Sequence, residues 1–417
     1  MESSTVLIIG LNWPEPKATA AGTRMMELIN CFLHWQCKLT FASTAKETER
    51  SAALQELGIE KQLILLNDES FDSFVEGLKP DIVIFDRFII EEQFGWRVAQ
   101  YAPEAIRILD TEDLHSLRHS RKMALKQNEL FNLSYWTQNE VTKREIASIY
   151  RCDLSLIISS YEMELLQEHL EISDSLLLHL PFLLDTIKEI KAGSWLPFEA
   201  RKHFVFIGTG KHTPNTDAIH WLKREVWPLI KAQLPETELH IYGAYLPESI
   251  MKLNDPNTAF LVHGWVEDID KVLSQARVNL AALRYGAGLK GKIVRAMTLG
   301  TPSAMTQIAA EGIFDNTLSK ASGFDKEAFV EEAVGLYRNK TDWESRQRKG
   351  VDIINKNFNK EQLQAALKLK LEDLQHHKEQ YRANNFIGGM LLHHTMMSSK
   401  YLAKWIASKN AKNNAAG

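Results

Sequence analysis

The chain has 417 residues, of which 45% are hydrophobic and 24% charged, and its formal net charge is −4. That length supports two domains with separate cores, in the composition of an ordinary globular protein. Without a basic excess, nucleic acid is excluded as the main partner, and no apolar run reaches the roughly 18 residues of a membrane span. The three cysteines, Cys31, Cys37 and Cys152, show no CxxC or metal-ligand spacing and read as free thiols in a reducing compartment. The first apolar run, Val6 to Ile9, is short and lacks a basic leader, which predicts a buried strand in a cytoplasmic protein and no signal peptide.

In chain order, the expected strands of the first part are Val6–Ile9, Leu39–Ser43, Leu63–Leu66, Ile82–Phe85, Ile106–Leu109, Leu154–Ile158 and Leu176–His179. Amphipathic helical patterns separate them, and a long polar one runs from Leu114 to Ile149. Such alternation predicts an α/β fold with a parallel sheet covered by helices on both faces. Residues 184–201, with Gly193 and Pro197, lose the periodicity and read as a linker. The alternation then restarts with strands His203–Ile207, Leu239–Tyr242, Phe260–Val262, Val278–Ala282 and Ser303–Met305. Its helices are Ala218–Leu234, with Thr213 as N-cap and Pro214 at the first position, Ile269–Gln275, and one ending near Gly300. Two Rossmann-like halves follow, 1–185 and 200–375, facing across a cleft in which ligands sit at the carboxyl ends of the sheets. A basic helical tail from about Glu372 to Gly417, with a helix at about 385–410 expected to dock on the first half, carries Lys400, Lys404, Lys409 and Lys412. Its Phe386, Met390, Leu391, Met397 and Tyr401 supply one apolar stripe for docking on the protein, with contact to a membrane surface as the alternative.

The most informative stretch is Arg284 to Gly300. It follows an apolar strand, interleaves Gly286, Gly288 and Gly291 with Arg284, Lys290, Lys292 and Arg295, and opens a helix. Glycines let backbone N–H groups approach an anion, and the helix start favours negative charge. The stretch is neither a Walker A loop nor a chain-initial dinucleotide fingerprint. The diphosphate of a nucleotide-sugar is the anion that suits it.

The stretch resembles the donor site of the large family of retaining glycosyltransferases with two facing Rossmann-like domains (the GT-B architecture), which includes many bacterial lipopolysaccharide and capsule sugar transferases. The likeness rests on Arg284 to Lys292, Ala296-Met297 and Gly300-Thr301-Pro302. Phe206-Ile207-Gly208, Pro214-Asn215, Trp227-Pro228, His263-Gly264-Trp265-Val266 and Gln307 to Gly312 extend it over residues 203–358. It implies a donor site made of Gly208, Lys211, Asn215, His263, Gly264, Arg284, Gly286, Gly288, Lys290, Lys292 and Arg295. Many relatives carry two glutamates eight residues apart, the second binding ribose or sugar; this chain has Ala287 and Arg295 there. Arg295 exchanges an acceptor of hydroxyl hydrogen bonds for a donor. It binds a phosphate, or the ribose contact has moved, or the site is degenerate.

In the first half the resemblance rests on Ala21 to Arg24, Asp86 and Asp110 to His115. Gly22, Arg24, Asp86 and Arg87 are the expected acceptor contacts. Asp110 and His115 follow a strand and are expected to face the cleft, so that Asp110, His115 and Lys290 form the catalytic set. Asp268-Ile269-Asp270 spells a DxD but falls in a helix's first turn, where the dipole accounts for it, and the His376-His377 and His393-His394 pairs do not face one another on a helix. No metal and no cofactor is expected. The partners implied are a nucleotide-sugar and a glycan or other hydroxyl acceptor. The expected reaction is sugar transfer with retention and without metal; a nucleotide-sugar epimerase or hydrolase, and a silent binding protein of the same fold, are the alternatives.

Overall fold

A computed structural model describes residues 3–314 and 325–415, except the side chains of 395–397, 399–400, 407 and 410–415. Met397, Lys400 and Lys412, named above in the tail, therefore lie outside the described side chains.

The first sheet has seven strands: β1 (Thr5–Gly10), β2 (Lys38–Ser43), β3 (Glu60–Leu63), β4 (Ile82–Asp86), β5 (Ile106–Asp110), β6 (Leu154–Ile157) and β7 (Leu177–His179). They pair in the order β3-β2-β1-β4-β5-β6-β7, all parallel. The second has five, β8 (Lys202–Ile207), β9 (Leu239–Tyr242), β10 (Phe260–Gly264), β11 (Ala276–Ala281) and β12 (Ser303–Met305), in the parallel order β10-β9-β8-β11-β12. β1, β4 and β5 are buried at every central position, as parallel strands sandwiched by helices must be. In each sheet the order reverses once, between β1 and β4 and between β8 and β11. Those are the points where α/β sheets open a crevice at their strand ends.

Four expectations shift. β3 begins three residues before Leu63–Leu66, because it is an edge strand and Leu63, Leu65 and Leu66 are exposed. The long pattern from Leu114 is three helices, His115–Lys126, Leu133–Thr137 and Glu140–Arg151. The side chains of Asn132 and Asn139 accept from backbone N–H groups and cap the last two, which is why one helix does not run through. The helix of the second half starts at Thr213 with His212 as N-cap, so Pro214 is its second residue, where its missing N–H still costs nothing. The linker contains a helical turn, Glu189–Gly193.

The chain returns to the first half at its end. Leu184 and Asn359 bridge in parallel, and the helix Lys360–Asn384 places Leu367, Leu371 and Leu374 in the core around β1. The last helix, Phe386–Ala415, lies against the helices Phe88–Tyr101 and Glu140–Arg151. Of the expected apolar stripe, Phe386, Met390 and Tyr401 are exposed and Leu391 is half-buried. Small residues face the protein instead. A Cβ on Gly388 would stand 2.1 Å from the Tyr150 carbonyl oxygen, and Ala403 is buried.

Candidate active site

The two switch points face each other across a cavity of about 760 Å³, within the range of small-molecule sites. Its walls are the segments that leave strand ends: Leu11–Thr19 after β1, Asp86-Arg87 after β4, Glu112–His115 after β5, Gly208–Asn215 after β8, Tyr242–Ala244 after β9, Trp265-Val266 after β10 and Gly286–Lys292 after β11.

The floor of the second half is basic. Lys290 and Lys292 flank the start of the helix Gly291–Thr298, whose first N–H groups have no intrahelical partner. Lys290 Nζ donates to the Gly288 carbonyl at 2.9 Å and stands 3.9 Å from Glu311. Burial draws its pKa down. Lys292 Nζ donates to Asn215 Oδ1 at 2.8 Å and lies 4.0 Å over the Phe206 ring; burial lowers its pKa to about 7. Gly208 fits under Asn215, where a Cβ would meet the amide carbon at 2.5 Å. Lys211 lies 3.6 Å over the Tyr245 ring at the mouth.

The first half contributes carboxylates and a histidine. His115 opens its helix on the cleft wall, with Nε2 3.2 Å from Asp113 Oδ1, and burial lowers its pKa to about 4, so the ring is neutral at pH 7. Burial pushes the Asp113 carboxyl up, but Arg118 and His115 more than reverse this and leave it at about 2. Glu112 behaves oppositely: burial, then the Asp110 charge, raises it to about 8, and its Oε1 is buried without a partner. Glu112 and Arg87 are non-glycine residues at φ 61° and φ 75°, a backbone strain of the kind held at functional sites. Asp86 accepts from the Leu11 N–H and from Arg87, and both residues line the cleft.

Several expected contacts are placed elsewhere. Arg24 and Asp110 do not line the cleft; they form a buried ion pair at 2.9 Å, and Arg24 also donates to the Leu180 and Pro181 carbonyls. A charge at 1% exposure demands such partners, so the pair ties β5 to the first helix rather than meeting an acceptor. Arg284 is held in a two-pronged contact by Asp217, off the cleft wall. His263 is exposed and stacked on Tyr242, and Gly264 at φ 79° supplies a carbonyl to Gly243 N–H; neither lines the cavity, whereas the following Trp265 and Val266 do. Gly288 gives its N–H to Glu162 at 2.7 Å, and its Cβ would strike Asp113, so it serves the approach of the two halves and not an anion. Gly291 likewise meets Ala20, while Gly286 opens on the cavity. Gly22 lies under the Glu15 backbone at the cavity edge.

Contacts that the sequence did not suggest hold the halves together. Arg121 donates to the Gly286 carbonyl and to both oxygens of Glu311. Tyr245 donates to Glu15 and Trp265 to the Lys17 carbonyl. His212, beside Lys292 and Arg118, is lowered to about 3 by burial and completes the wall. Outside the cavity His203, Glu238 and His240 bring three metal-type donors together. His203 Nδ1 accepts the Glu238 N–H, which leaves the proton on Nε2 and works against metal ligation there.

Two facing, doubly wound parallel sheets with a basic helix start at the crevice are the GT-B architecture of glycosyltransferases. Within it, residues 201–339 match the family described as Glycosyl transferases group 1. An Anabaena structure, Alr3699/HepE in complex with UDP and glucose, is similar at a TM-score of 0.64 and 10% identity, over 88% of this chain and 99% of that one. A glycosyltransferase from Rickettsia africae is similar at a TM-score of 0.61 and 11% identity, over 90% and 99%. TarM of S. aureus, in complex with Fondaparinux, alpha-GlcNAc-glycerol and UDP, is similar at 0.54 and 13% identity over 73% of this chain, which spans 58% of the TarM chain. At these identities the likeness establishes the fold. No curated protein sequence matches the chain.

Proposed function

We propose that the chain is a glycosyltransferase that moves a sugar from a nucleoside diphosphate donor to an acceptor hydroxyl, with retention and without metal. The observation that carries this reading is the basic helix start at Lys290 and Lys292, aimed into a cavity large enough for a nucleotide-sugar. As the bond from the sugar's anomeric carbon to the diphosphate breaks, its electron pair leaves with the diphosphate. Two ammonium groups and the helix start stabilise that charge. The acceptor hydroxyl's oxygen bonds to the same carbon as its proton passes to the departing diphosphate, and Glu112, Asp113, His115, Asp86 and Arg87 form the wall it approaches from. The neutral His115, anchored by Asp113, offers an oriented ring to sugar hydroxyls.

Replacing Lys290 by Ala is expected to lower turnover by about two to three decades, the usual cost of one preorganised contact to developing charge. Circular dichroism and the melting curve check that the fold persists; a folded variant with full activity removes Lys290 from the mechanism. One observation favours a second reading, a nucleotide-sugar epimerase or hydrolase. Glu112, raised to about 8, is a protonated carboxyl in the cleft at neutral pH, as a general acid would be. Products formed with and without an acceptor separate the two. The same proposal includes peripheral contact with an anionic membrane, supported by exposed Tyr401, Leu402 and Trp405 beside Lys404 and Lys409. Among the described residues no helix is long and apolar enough to cross a membrane.

A further inference from the structure

The second half's wall combines cations, one carboxylate and aromatic and apolar side chains. Lys290 and Lys292 stand at the helix start. One turn along the same helix, about 4.5 Å further on at 1.5 Å per residue, Arg295 reaches the wall and its Nε donates to Asp270 Oδ1 at 2.5 Å. Tyr242, Trp265, Val266 and Ile269, the last adjacent to Asp270 in the chain, line the same wall. Asp270 is the one carboxylate that the second half contributes to the cavity among the described residues; the other acids on its walls come from the first half.

Asp270 belongs to the first turn of the helix Ile269–Gln275, whose N-cap role is taken by Asp268, with Oδ1 2.9 Å from the Lys271 N–H. Asp270 is therefore not needed as the cap. Nor does the pair hold the fold: Arg295 is 40% and Asp270 51% exposed, and such pairs are worth about 0–1 kcal/mol. Its second carboxylate oxygen accepts from no described residue. Cations, a single carboxylate and aromatic and apolar side chains on one wall are the groups that a diphosphate, a vicinal diol and a planar base call for, and a carboxylate is the acceptor suited to both hydroxyls of a diol.

We propose that Asp270, positioned by Arg295, recognises the ribose hydroxyls of the nucleoside diphosphate. This rests on the donor reading given above. Arg295 then serves as the clamp that orients the acceptor oxygen, and the diol contact lies one helix away from Arg295 itself.

The test is calorimetric titration of the wild type, D270N, R295M and the double variant with UDP, GDP, ADP and CDP, with the 2′,3′-dideoxy form of the tightest binder, and with inorganic pyrophosphate. In D270N the ribose form is expected to weaken about tenfold or more, as loss of a hydrogen bond to a charged group does. The dideoxy form and pyrophosphate keep their wild-type affinity. R295M shows the same selective loss, and the double variant loses no more than either alone. Unchanged ribose binding in D270N, or an equal loss for the dideoxy form, overturns the proposal and leaves the donor reading standing. A wild type that binds none of the nucleoside diphosphates overturns both.

Discussion

Lys292 is held at about 7, well below an ordinary lysine, by burial at the cleft floor. Two consequences have opposite signs. Between about pH 7 and 10 the unfolded chain carries a proton that the folded lysine does not, so this group's cost to stability is full below pH 7 and fades as pH rises. Lys292→Met is thus expected to raise the melting temperature at pH 6 to 7. Binding a diphosphate favours the charged lysine, so affinity falls as pH rises above 7 and binding takes up a proton at pH 8 but none at pH 6. Calorimetry in buffers of different ionisation enthalpy measures that uptake, and Lys292→Met abolishes it. Asp110 is a different case. Its partner Arg24 is fully buried, and Asp110→Asn strands that charge, at a cost of about 3–5 kcal/mol in urea unfolding. A variant with unchanged stability and a raised acceptor KM would return Asp110 to the cleft. Lys290 and Lys292 stand out in the sequence because glycines, lysines and a helix start lie adjacent in the chain, and the structure puts both on the cavity wall. Arg24 and Asp110 were misread because polar residues after strands suggest the cleft, and their pairing across 86 positions leaves no local trace.

At the scale of elements, eleven strands coincide with short apolar runs, while the polar edge strand β3 shares only Leu63 with its expected run. What periodicity missed was punctuation by asparagine within 114–149 and the role of glycine in close approach. Gly288 and Gly291 look like a phosphate loop in sequence, yet the space they save is taken by Asp113 and Ala20 of the other half. The last helix shows the same limit, since its Phe386, Met390 and Tyr401 are exposed while Gly388 and Ala403 are buried. Exposed Trp405, with Lys409 4.0 Å from its ring centre, is the amphipathic combination that favours a headgroup layer. Flotation with phosphatidylglycerol-containing vesicles is expected to carry the protein, and Trp405→Glu to cut the bound fraction severalfold. Equal flotation with neutral vesicles, or no effect of the substitution, would count against the membrane contact.

For the molecule as a whole, the arrangement explains why two sheets are needed. Each sheet alone offers one crevice; facing each other, they place the cations of one half opposite the carboxylates and histidine of the other. Arg121, Glu162, Glu15 and Trp265 close the space between them with cross-half hydrogen bonds. Trp265, Gly286 and Gly288 lie in sequence motifs, but their partners Lys17, Arg121 and Glu162 stand in other helices and loops, so the pairing itself left no trace in the sequence. A ligand bound by both halves then stabilises the whole chain and not one half, by mass action. The most direct measurement of the central claim is diphosphate release from a panel of nucleotide-sugars, run beside titration with the matching nucleoside diphosphates. The account predicts that at least one nucleoside diphosphate binds and raises the melting temperature, and that its sugar conjugate is turned over by the wild type and not by Lys290→Ala. A folded wild type that binds none of them contradicts it.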